Sequence, residues 1–167
     1  MTDGLLCQCT MPLSWREAAP EASVRRAMLG EAALVLAAIN QLEGGHEIES
    51  APENRRLERL EAKLDLTLHL LAKVLEPAPP PPGIVVGLGG EAVEWRDERP
   101  PAAGTAIVLE LRPSEALPLA IRLPAVALAP NGGLARARFQ ELNEDLADAL
   151  TQFVFRRHRQ AIRAKAV

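Results

Sequence analysis

The stretch IVVGLGGEAVEW, Ile84 to Trp95, is two short apolar runs separated by a glycine-rich turn. Ile84 to Val86 and Ala92 to Trp95 read as strands, and the small residues between them read as the turn of a hairpin. Working outward, Gly104 to Leu128 (GTAIVLELRPSEALPLAIRLPAVAL) continues the β pattern. Thr105 to Leu111 is one strand. Leu117, Leu119, Ile121 and Leu123 alternate with Pro118, Ala120, Arg122 and Pro124, which predicts a half-buried strand whose prolines place it at an edge or a bulge. Val126 to Leu128 and Leu134 to Phe139 are expected to pair around the turn Asn131-Gly132-Gly133. Five or six short strands with turns predict a small antiparallel barrel over 84–139. The chain then changes period. A helix is expected from about Asn143 to Arg163, within 141–165, with Leu146, Leu150, Phe153, Val154 and Ile162 on its apolar stripe.

Upstream of the barrel the pattern is helical. Leu5 to Trp15 alternates like a strand, while Ser14 and Glu17 resemble a capping box that would start a helix near its end. Pro20 to Leu42 places Val24, Met28, Glu31/Ala32, Val35, Ile39 and Leu42 at spacings of three and four, and Gly44-Gly45 ends that helix. Ser50 and Glu53 cap a second helix with Pro52 in its first turn. In it Leu57, Leu64 and Leu71, and also Leu60, Thr67 and Val74, recur every seven residues, as a and d positions of three heptads. Leu68 and Leu75 at e, with Leu70 at g, widen the seam beyond what a two-stranded zipper needs. Pro77 and Pro79 to Pro82 stop the helix, so 77–83 is a stiff extended linker. The expected architecture is a single α+β unit over 1–167. It consists of a small antiparallel barrel, two inserted long helices within 20–76, one of them with heptads, and a C-terminal helix.

Composition narrows the function. With 167 residues and a net charge of −3, the chain has no overall attraction to nucleic acid. It has no Tyr, two Trp and three Phe, so the stacking platforms of single-strand binders are scarce. No apolar run reaches the ~18 residues of a membrane span. The start MTDGLLCQCT lacks a secretory pattern, which predicts a cytoplasmic protein. Cys7 and Cys9 supply at most two ligands where zinc takes about four, so a pair of reduced thiols is expected and no metal. His46, His69 and His158 sit in three different elements with no ligand spacing. No Ser-His-Asp, Cys-His or paired-carboxylate arrangement emerges, and no cofactor or catalytic residue is expected.

The order of strand, glycine turn, strand, β-rich segment and closing helix resembles the PilZ domain, which usually binds cyclic di-GMP. That resemblance covers about two-thirds of the chain. The family's loop reads Asp/Asn-x-Ser-x-x-Gly, and its matching positions here are Gly87, Gly89 and Ala92. The segment CTMPLSW, the inserted helices and the heptads in LERLEAKLDLTLHLLAKVL are similar to the atypical tetrameric PilZ subgroup. The resemblance implies a parallel four-helix assembly with barrels at its periphery, and the heptads by themselves do not specify the number four. It also implies a phosphate-gripping Arg-x-x-x-Arg motif. Arg55 and Arg59 fit that string but fall on the heptad helix, where a solvated face is expected.

The expectation is a non-enzymatic homo-oligomeric adaptor of cyclic di-GMP signalling, tetrameric through Leu57, Leu60, Leu64, Thr67, Leu68, Leu71, Val74 and Leu75. Cyclic di-GMP is not expected at the degenerate loop Gly87, Gly89, Gly90 and Ala92. Two alternatives remain. One is a cyclic di-GMP sensor in which the loop's backbone amides act with Arg96, Arg99, Arg156, Arg157 or Arg159. The other is a monomer whose two long helices satisfy each other. The tail arginines also have a plainer role, as cations near a helix C-terminus.

Overall fold

The structure is a computed structural model that describes residues 6–44, 57, 60, 61, 64, 67, 68, 71, 74, 79–115, 117 and 119–165. Its element order is β1 (Cys7–Met11), β2 (Leu13–Glu17), α1 (Ala22–Gly44), β3 (Ile84–Leu88), β4 (Ala92–Arg96), β5 (Ala106–Leu111), β6 (Ile121–Asn131), β7 (Leu134–Phe139) and α2 (Glu144–Lys165). The strands form one antiparallel sheet in the order β1-β3-β4-β7-β6-β5-β2. Its two edge strands, β1 and β2, are separated in sequence by Pro12 alone, so the sheet must roll up to bring its edges together. The Pro12 carbonyl accepts the Arg112 N–H at 3.1 Å, which ties the corner to the end of β5.

Residues 14–17 correct the capping-box reading. Ser14 and Glu17 lie in β2, where Ser14 pairs with Glu110 and Glu17 with Ile107, and no helix starts there. Pairing with β5 satisfies those backbone groups of β2 that face it, along all five residues of the strand. A second correction concerns 117–128. The strand starts at Ile121 and runs unbroken to Asn131, between β5 and β7, so it is not an edge. Pro124 is tolerated because its carbonyl accepts the Gln140 N–H at 2.9 Å, just beyond β7. The missing N–H therefore falls where that ladder ends. The irregularity is instead between Leu128 and Asn131, beside the turn. There Gly132 and Gly133 adopt φ of 58° and 80°, as the Asn-Gly-Gly signal predicts.

The core lies inside the rolled sheet and under the two helices. Alternation does most of the work: Val93 and Trp95, Ile107, Leu109 and Leu111, and Ala135 and Ala137 point inward. Helix α2 closes one side with Leu146, Leu150, Phe153 and Val154, while Ile162 remains exposed. It is capped by Asn143, whose Oδ1 accepts the Leu146 N–H at 2.9 Å. Glu141 lies before the helix in the left-handed region, with φ of 51°, and is paired with Arg25 at 3.2 Å. On α1 the buried stripe is Leu29, Ala32, Val35, Leu36 and Ile39, rotated from the predicted one, so that Val24 stays exposed.

Candidate functional site

The β3–β4 hairpin holds the glycine loop. Gly87 is paired with Glu94 on β4 and with Gln8 on β1. A Cβ at Gly87 would stand 2.6 Å from Glu94 Cγ, 2.9 Å from its Oε1 and 3.1 Å from Gln8 Nε2. The glycine therefore reflects occupied space: the Glu94 carboxylate lies over it. Gly89 donates its N–H to the Ala92 carbonyl at 2.9 Å, so that amide is committed to the turn.

Beside this loop a groove of about 670 Å³ runs between the sheet and α2, lined by Gly89, Gly90, Ala92, Glu94, Arg138 and Thr151 among others. Arg136 and Arg138 are the cations that β7 brings here, opposite Glu94 and Ala92 respectively. Sequence reasoning missed both. The alternation of LARARF carried the signal, because buried Ala135 and Ala137 force the arginines outward. Glu91 and Glu94 line the same groove and offset their charge.

The arginines expected near the loop are placed elsewhere. Arg96 is at the opposite end of β4 from Ala92, and with Arg99 it lines a different cleft, at the barrel mouth. There Asp97 Oδ2 accepts the indole N–H groups of both Trp15, at 2.7 Å, and Trp95, at 3.1 Å. Its Oδ1 accepts the Arg99 backbone N–H at 2.9 Å. Burial alone would raise the Asp97 pKa, but these three donors outweigh it and hold the carboxyl below its ordinary value.

Arg156 and Arg157 close a clasp at the end of α1. Glu43 takes Arg156 at 2.8 Å and Arg157 at 3.2 Å, and accepts the Ser114 hydroxyl at 2.6 Å. Arg156 also donates to Asn40 Oδ1 at 2.7 Å, and Arg157 to the Pro113 carbonyl at 2.9 Å. Both guanidinium groups lie within about 5 Å of the Phe153 ring, at 5.3 and 5.1 Å. Burial lowers the Arg156 pKa and Glu43 works against that shift. These arginines hold α1, α2 and the β5–β6 connection together, a role beyond complementing a helix dipole. Arg159 is exposed beside Asn40, Gly44 and Phe155.

Cys7 and Cys9 are free thiols on β1. Burial raises both, Cys9 to about 11, so neither is an activated nucleophile at neutral pH. Among the described residues no three potential ligands form a metal cluster. His46, His69, Leu75, Arg55 and Arg59 lie outside the described residues.

The heptad positions form the remaining feature. Leu57, Leu60, Leu64, Thr67, Leu68, Leu71 and Val74 are all helical. Leu57, Leu60, Leu64, Leu71 and Val74 are 56, 58, 58, 50 and 75% exposed, and only Leu68 packs against the core. Five large apolar side chains at a and d positions thus face away from their own fold.

The profile of the atypical PilZ domain, described as a cyclic di-GMP receptor, matches residues 33–166. The chain belongs to the atypical PilZ family. No curated protein matches it in sequence. It is also similar to a solved structure, a pathogenic protein from Xanthomonas campestris described as a new tetrameric PilZ domain self-assembled via an unusual helical bundle. The two share 27% identity with a TM-score of 0.77, over 98% of this chain and 93% of that one. The fold described above is thus that of a PilZ protein. Within the described residues no helix is long and apolar enough to cross a membrane.

Proposed function

We propose that this atypical PilZ protein is a non-enzymatic, homo-oligomeric scaffold, assembled through the heptad helix and presenting its barrels to other proteins of cyclic di-GMP signalling. The observation that carries the reading is the a/d stripe: Leu57, Leu60, Leu64, Leu71 and Val74 are helical yet half or more exposed. A chain that left five such side chains in water would forgo burial that like helices can supply. The bundle-forming tetramer from Xanthomonas campestris supports four as the number of chains.

The glycine loop supports the second half of the reading. The PilZ loop has an acidic or amide side chain, a hydroxyl and a glycine, and this chain has Gly87, Gly89 and Ala92. Glu94 fills the space over Gly87 with negative charge, which opposes a ligand carrying two phosphates. The test is native mass spectrometry of the intact chain with and without cyclic di-GMP. A species at about four times 18.0 kDa without nucleotide is expected. A monomer, or a nucleotide adduct lost on changing Arg136 and Arg138, would overturn the respective half.

A further inference from the structure

The chain has two cysteines and three methionines, and strand β1 gathers both cysteines and one methionine on a single face. Cys7, Cys9 and Met11 alternate with Gln8 and Thr10, which are exposed. Cys7 and Met11 belong to the core, and Cys9 packs against it while keeping some contact with solvent. Because β1 is an edge of the sheet, the Cys9 sulfur is approached from the open side of the strand. The Cys7 Sγ lies 3.8 Å from the Gln8 carbonyl oxygen, and the Cys9 Sγ lies 3.7 Å from the Cys7 carbonyl oxygen. Both carbonyls belong to the stretch between the two α-carbons, so each sulfur leans over that stretch. The Val86 carbonyl is a further contact of Cys9 Sγ, at 3.7 Å. Thiols are weak donors and these contacts are long, so little is lost when their protons leave.

Strand geometry decides what such a pair can do. Residues two apart on a strand have α-carbons about 6.8 Å apart, at the upper limit for a disulfide. Closing one would therefore pull β1 out of its ladder with β3. A metal ion spans more. Two metal–thiolate bonds of about 2.3 Å set the sulfurs about 4.6 Å apart, a separation that neighbours on one strand face reach with the backbone in place. Zinc takes about four ligands and is poorly served by two thiolates and a thioether. Soft sulfur donors select Cu(I), which is satisfied by two or three of them. Cu(I) with two thiolates carries one negative charge. Burial raises the pKa of both thiols, and the Arg157 guanidinium acts against that rise from nearby. The same positive field favours the anionic complex, tempered by the Glu43 carboxylate paired with Arg157.

We propose that Cys7 and Cys9 bind one Cu(I) ion per chain, with the Met11 thioether as a third sulfur. Each thiol gives up its proton as its sulfur–copper bond forms, so two protons leave for every ion bound. Copper stays Cu(I) throughout and no electron is transferred. Affinity therefore rises with pH. The site uses no residue of the leucine seam or of the glycine loop, so it is independent of the scaffold reading.

The full, reduced chain is titrated without oxygen with Cu(I), using bicinchoninate as a competing chelator, and separately with Zn(II). The expected result is one Cu(I) per chain withdrawn from the chelator, with a thiolate-to-copper charge-transfer band in the ultraviolet. Calorimetry in buffers of different ionisation enthalpy should count two protons released per ion. Circular dichroism should keep its β signature, and the melting temperature should rise, because the folded chain holds the metal. Cys9→Ser, at the partly exposed position, should weaken binding by more than about a hundredfold, beyond the loss of an outer contact. Met11→Leu conserves volume and should weaken it less, with two protons still released. Failure to compete with the chelator overturns the site. So does a ratio of one copper per two chains, Zn(II) bound as tightly as Cu(I), or loss of the β signature on loading. Unchanged affinity in Cys9→Ser overturns it as well, and unchanged affinity in Met11→Leu removes the third sulfur. A change in oligomeric mass would bear on the scaffold reading and leave this one untouched.

Discussion

Replacing Leu64 and Leu71 together with Glu tests the assembly at its centre. The two side chains are one heptad apart and are 58 and 50% exposed, so in an isolated chain each tolerates a carboxylate at the surface. Fully burying a leucine contributes about 2 kcal/mol, so the part left exposed here is worth about 1 kcal/mol for each residue on assembly. That loss alone would weaken a bundle without dissolving it. The added term is the charge: a carboxylate taken into an apolar seam costs several kcal/mol after relaxation, and each chain brings two. The expected result is complete dissociation to the 18.0 kDa chain, seen by native mass spectrometry or light scattering, with the β signature in circular dichroism preserved. Leu64→Ala with Leu71→Ala should only shift the concentration at which the oligomer forms. A Leu64→Glu, Leu71→Glu protein that keeps its oligomeric mass would refute the seam.

Glu43→Gln removes the carboxylate that, among the described residues, pairs with both Arg156 and Arg157. Because the groups are partly exposed, the loss should be about 2–3 kcal/mol, seen as a melting temperature lowered by roughly 6–10 °C. Gly87→Ala should destabilise the hairpin, since the new Cβ meets Glu94 Cγ at 2.6 Å, and Gly87→Asp should not create cyclic di-GMP binding while Glu94 remains. Titration calorimetry and a thermal melt check the two effects. Cys9 has its folded pKa raised to about 11 by burial, so the folded state keeps a proton that the unfolded chain releases from about pH 9. Stability should therefore fall as pH rises from about 9 to about 11, and Cys9→Ala should flatten that part of the profile. At pH 8 both thiols should react with a disulfide reagent more slowly than in denaturant.

The clasp lies where α1 ends. Helix α1 ends at Gly44, one residue beyond the clasp residue Glu43. The clasp joins that end to α2 and to the β5–β6 connection. Glu43→Gln therefore also tests how firmly α1, α2 and the β5–β6 connection are held together.

The elements legible in the sequence were those with a strong period. The heptads of 57–74, the alternation of 134–139 and the stripe of Leu146, Leu150, Phe153 and Val154 each follow from side-chain geometry on a single element, and they needed no partner to be read. The Asn131-Gly132-Gly133 turn was equally local, because only residues that adopt positive φ cheaply serve there. The loss of polar groups at Gly87, Gly89 and Ala92 was also visible in the letters themselves. What depended on contacts between distant segments was not. The short run after Pro12 became β2 because β5 offered it a ladder. Proline at 124 entered an inner strand because β7 ended beside it. Nothing local distinguishes an arginine held by Glu43, more than a hundred residues away in sequence, from one that faces water. Nor does it reveal that Glu94 occupies the space above Gly87, or that Trp15 and Trp95 share Asp97. Periodicity is a property of one backbone, whereas charge pairing and filled space belong to several brought together, and only the folded chain decides them.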